Sequence, residues 1–137
     1  MTQGKVISIR GSVVDVLFPS SLPELHSLLT AGEHKRVALE VMTYLNSELV
    51  RTIALTPTQG LARGSIVNNT GHPLQVPVGE ANLGRMFNVF GETIDGREQL
   101  PAAKWRPLHA PPVPLSDRAT TTDIFLTGIK AIDVLAP

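Results

Sequence analysis

Apolar and polar positions alternate through most of the first half of the chain. Lys5-Val6-Ile7-Ser8-Ile9-Arg10 and Ser12-Val13-Val14-Asp15-Val16-Leu17-Phe18 are β-branched runs separated only by Gly11, which can adopt the backbone angles of a bulge or sharp bend. They predict one kinked strand or two. Val14, Val16 and Phe18 share one face and Asp15 interrupts the other, the signature of a half-buried strand that Pro19 then stops. From Ser20 to His34 the apolar spacing is mixed, Pro23 breaks it and Ala31-Gly32 follows, so the expectation there is a loop with at most one helical turn.

Val37–Tyr44 alternates with Val37, Leu39 and Val41 inward, and Leu49–Leu55 pairs with it across Asn46-Ser47 as a hairpin. Ser65–Asn68 and Leu74–Val78 read as short strands around Asn69-Thr70-Gly71-His72-Pro73. Six short strands in about 75 residues, with no long helical pattern between them, predict a small antiparallel β-barrel, because closure removes the edges that an open sheet would expose. That barrel is assigned to residues 1–79.

After Gly79 the pattern changes. Leu83–Gly91 is a short apolar segment between glycines, and Ile94-Asp95-Gly96 ends in a turn signal. Prolines 101, 107, 111, 112 and 114 predict extended backbone poor in hydrogen bonds. Thr127–Leu135 places Ile129, Ile132 and Leu135 at helical spacing, a short amphipathic helix that Pro137 cannot prolong. Nothing else in the chain is left to cover that stripe, so residues 80–137 read as a connector and the beginning of something larger.

Composition sets limits on what such a chain can do. Its 137 residues make about one domain, and 42% hydrophobic residues with a mean hydropathy of +0.11 allow an ordinary core. Twelve Lys plus Arg balance twelve Asp plus Glu, so no net field gathers nucleic acid or an anionic membrane. Cysteine is absent, which removes disulfides, thiolate metal sites and a cysteine nucleophile. His26, His34, His72 and His109 are scattered along the chain and show no metal-ligand spacing. No apolar run is long enough for a membrane-spanning helix. The N-terminus has neither a secretory nor a transit-peptide pattern, so a cytosolic chain is expected.

The residues offer little catalytic chemistry. A phosphate-cradling loop needs glycines for backbone approach, then Lys and a Ser or Thr for magnesium. None of the lysines, Lys5, Lys35, Lys104 and Lys130, lies in such a setting, and neither Gly-x-Gly-x-x-Gly nor Gly-x-Ser-x-Gly occurs. Glu92 and Asp95 are near each other, but Asp beside Gly is a turn-former. Arg63, Arg85 and Lys130 read as solvated charges or interface ion pairs ahead of anion ligands, and Trp105 among its prolines reads as connector packing ahead of a base-stacking platform. Catalytic, cofactor-binding and metal-ligating residues are therefore all assigned as none.

Specificity comes from ordered blocks. Val76-Pro77-Val78-Gly79, Leu83–Glu92, Ile94-Asp95 and Thr127–Pro137, preceded by Gly11–Val16, Leu39-Glu40-Val41, Val50–Leu55, Gly60–Gly64 and Asn69–Leu74, resemble the beta subunit family of the rotary ATP synthases over nearly the whole chain. The alpha subunits share several blocks, but Met86-Phe87-Asn88-Val89 and Asp133–Pro137 look like beta. Thr56-Pro57-Thr58-Gln59 departs from the Asp-Ser-Thr-Asp typical of beta and points to a variant bacterial branch, the coupling ion, proton or sodium, staying open.

The resemblance implies a mainly β fold: a six-stranded antiparallel barrel followed by the Pro-rich, short-helix start of an α/β nucleotide-binding domain. It implies a parent that makes or hydrolyses ATP coupled to ion transport, with MgATP or MgADP bound downstream of Pro137 and no cofactor in this chain. The implied partners are alpha subunits in an alternating hexamer and a central rotating shaft, with no nucleic acid and no direct membrane insertion. The implied location is peripheral, on the cytoplasmic face of the bacterial plasma membrane. Competing readings are an alpha subunit or secretion ATPase, and a stand-alone barrel that binds RNA or protein.

Overall fold

A computed structural model describes residues 2–32, 36–98, 104–121 and 123–135. Strands β1 (Gln3–Arg10), β2 (Val13–Leu17), β3 (Ser27–Ala31), β4 (Val37–Tyr44), β5 (Leu49–Ala54) and β6 (Ile66–Pro73) close into an antiparallel barrel in the order β1-β2-β5-β4-β3-β6. Gly11 turns β1 into β2 with φ of +62°. Register shifts at Val6/Ser8, Ser27/Leu29 and Val41/Thr43 supply the corners that let so small a sheet close.

The core is the inward face of this alternation. Val6, Val14, Val16, Leu29, Leu39, Val41, Val50 and Val67 are fully buried, with Phe18 wedged among them. Gly4 is tied to that wedge: a Cβ there would stand 2.7 Å from the Leu17 carbonyl oxygen and 2.9 Å from the Phe18 ring. Thr52, also fully buried, donates its hydroxyl to the Val14 carbonyl at 2.8 Å, so its one polar atom is satisfied.

The fold class is as expected, but the strand membership differs at two places. Ser27–Ala31, expected as loop, is a barrel strand in which Ser27, Leu29 and Ala31 are buried. Its alternation was hidden because Leu28 on the outer position is as apolar as Leu29 inside. Leu74–Val78, expected in the barrel, contributes β7 (Gln75–Val78), which leaves the barrel and pairs with β8 (Lys104–Pro107) in a separate two-stranded sheet. The backbone around β8, expected to be extended and poor in hydrogen bonds, is extended but laddered to β7, and Leu108 N–H extends the ladder to the Leu74 carbonyl at 2.9 Å. A two-stranded sheet has only edges, which is where proline can sit, and it takes Pro77 and Pro107.

Between β7 and β8 a compact loop is closed by the Phe87–Thr93 bridge. Helix α1 (Lys130–Leu135) falls within the predicted span and buries none of its residues. Its start is held by Asp133, whose carboxylate accepts the Thr127 N–H at 2.9 Å, the Thr127 hydroxyl at 2.6 Å and the Gly128 N–H at 3.0 Å. These bonds hold the Asp133 carboxyl below its ordinary pKa, the Thr127 hydroxyl contributing most. Pro101, His34, Lys35 and Ala136-Pro137 lie outside the described residues.

Candidate functional site

Strand parity places Glu40 on the outside of β4, between the inward Leu39 and Val41, yet it is only 9% exposed. Two imidazoles cover it. His26, in the turn before β3, sets Nδ1 3.2 Å from Glu40 Oε1, and His109, just beyond β8, sets Nε2 2.7 Å from the same oxygen. The two rings stack, centroids 3.9 Å apart and planes 22° apart. His26 is also the one described non-glycine residue with positive φ, +64°, its N–H donating to the Val41 carbonyl at 2.8 Å. Backbone strain of this kind persists only where the surroundings over-determine it.

Sequence spacing argues against such a cluster, and His34 falls outside the described residues. His26 and His109 are 83 positions apart in sequence, yet β4 and the chain leaving β8 bring both to one carboxylate. The only trace of this in the sequence is Glu40 itself, a carboxylate in mid-strand between core residues.

The other candidates are engaged structurally. Arg85 donates through Nε at 2.5 Å and Nη2 at 3.2 Å to Asp95, and through Nη2 to the Glu98 carbonyl at 2.7 Å. The guanidinium holds the Asp95 carboxyl far below the carboxylate range. Glu92 accepts from Asn88 Nδ2 at 2.7 Å, so Glu92 and Asp95 serve different turns and form no acid–base pair. Arg63 and Lys130 are exposed. Trp105 pairs with Pro77 across the small sheet and lies so close over Gly91 that a Cβ there would meet its ring at 2.5 Å. That is the connector packing expected of it.

The outer wall carries two apolar patches. Met42 and Tyr44 on β4, Leu45 beyond it and Ile53 on β5 are exposed on one side. Ile66 on β6, 55% exposed, forms with Leu17, Pro19 and the Gln3–Lys5 stretch of β1 a shallow apolar cleft on another. In the closed strand order β4 stands opposite β1 and β5 opposite β6, so the two patches face away from each other. Among the described residues no helix is long and apolar enough to cross a membrane.

Comparison with known proteins gives this geometry a family context. The model of the ATP synthase alpha/beta family, beta-barrel domain, matches residues 6–71, the span of the barrel. ATP synthase subunit beta 2 of Syntrophotalea carbinolica is 52% identical over 134 residues, covering 98% of this chain and 28% of its own length. ATP synthase subunit beta 2 of Albidiferax ferrireducens is 53% identical over 134 residues, 98% of this chain and 26% of its own. ATP synthase subunit beta of Acaryochloris marina is 58% identical over 125 residues, 91% of this chain and 27% of its own. The chain thus spans under a third of the length of these relatives. Their beta names favour that reading over an alpha subunit, a secretion ATPase or a stand-alone binding module.

Proposed function

The barrel belongs to the ATP synthase alpha/beta family and the likeness to beta subunits runs through almost the whole chain; from that premise we propose that this polypeptide is the collar of a catalytic beta subunit. The strands from Gln3 to Pro73 form the ring-building barrel, and the chain from β7 onward leads into the nucleotide-binding domain. The parent makes or hydrolyses ATP with bound magnesium and couples this to ion movement. The phosphate-binding groups lie outside this chain, whose own part is architectural. The partners are alpha subunits alternating with beta around a central shaft, peripheral to the cytoplasmic face of the membrane.

The observation that supports the collar role is the pair of unlike apolar patches on opposite walls of the barrel. A two-fold dimer needs one self-complementary patch, whereas a closed ring of side-by-side barrels needs a different surface on each side. Met42→Asp and Ile66→Asp change exposed positions and leave the core untouched. In the whole beta subunit produced together with its alpha partner, each is expected to reduce hexamer yield, measured by native mass spectrometry. A full yield of hexamer from both variants would remove the collar role.

A further inference from the structure

We propose that His26, Glu40 and His109 form a binding site for a divalent transition-metal ion of the zinc type, clamping the barrel to the chain that leaves β8. The three ligating atoms all lie within 4.8 Å of one another. In a tetrahedral site with bonds of about 2.1 Å, neighbouring ligand atoms stand about 3.4 Å apart. The two nitrogen-to-oxygen separations of 3.2 and 2.7 Å are close to that edge, and coordination asks the two stacked rings, 22° apart in plane, to rotate so that both nitrogen lone pairs point at one ion.

The donor set fits this class of ion. Two neutral imidazoles and one carboxylate suit zinc, and the three ligands include no thiolate or thioether of the kind that favours copper(I). Glu40 is anchored in the barrel wall, while both imidazoles are partly open to solvent. The site is therefore reachable from water and leaves a fourth position for a water molecule, as in three-ligand zinc sites. His26 combines left-handed backbone, φ of +64°, with its Nδ1 3.2 Å from this oxygen.

The ion would join residues 26 and 40 of the barrel to residue 109. The seam would then be held by a cross-link between segments distant in sequence, so metal binding would couple to the order of the chain beyond β8. This goes beyond the collar role and does not depend on it.

The test uses the 137-residue chain and Zn²⁺ alone, by calorimetry and thermal unfolding. One ion per chain is expected, with a rise in the unfolding midpoint. His26→Ala and His109→Ala should each weaken binding by more than the roughly 10- to 100-fold lost when only a supporting partner is removed. His72→Ala, altering a histidine on the β6 strand, should leave affinity unchanged. If His26→Ala fails to fold, His109→Ala decides the matter, because His109 lies outside the barrel and is exposed. Absence of Zn²⁺ binding, or binding that survives loss of His109, would overturn the site and leave a carboxylate bridging two stacked imidazoles by hydrogen bonds only.

Discussion

Asp15 accepts hydrogen bonds from Arg51 Nε at 2.8 Å and Nη2 at 3.2 Å, and from Arg10 Nη2 at 2.8 Å, so two guanidinium groups from neighbouring strands converge on one nearly buried carboxylate. Arg51 above all holds its carboxyl below the ordinary range, against the opposing effect of burial. The stabilisation from this depressed value is fully present above the ordinary aspartate pKa of about 3.9, and is lost as pH falls from there through the folded-state value. Asp15→Asn should lower stability by about 1 kcal/mol at pH 7 and flatten the acid limb below about pH 4, read from urea midpoints across pH. The Asp–Arg alternation across β1, β2 and β5 was partly legible, since Asp15 interrupts a run of valines. Its partner Arg51 was not, because 36 residues separate them and register alone sets them opposite each other.

The β7–β8 sheet has little apolar area to hold it, so its stability rests on a few contacts. One of them is Trp105 against Gly91 and Pro77. Gly91 has φ of +78°, a region costly to any other residue, and its missing side chain leaves the space the indole occupies. Gly91→Ala should destabilise this element by about 2 kcal/mol through strain and overpacking together. Trp105 is the only tryptophan, so its emission reports on this element alone and should shift to the red, while the barrel's unfolding midpoint by circular dichroism stays put. The glycine itself was visible in the sequence, and so was the tryptophan. Their contact was not, because it depends on pairing β7 with a strand 29 positions further on.

At the level of the whole molecule, order is unevenly distributed. The barrel closes on itself around one core, whereas residues from Leu83 onward expose Leu83, Leu115, Phe125, Leu126, Val134 and Leu135. Local opening is easiest where few apolar contacts must be broken. Limited proteolysis should therefore cut within 83–135 well before it cuts within 3–73, as judged by mass spectrometry of the first fragments; early cleavage in the barrel strands would contradict this. Period-two alternation, turn residues and ordered motif blocks were enough to read a mainly β chain with a six-stranded barrel and its family likeness, because these depend on neighbours close in sequence. Which strands close the barrel, and which carboxylate draws two distant histidines together, was decided by tertiary structure, because pairing and register join residues whose separation along the chain carries no signal.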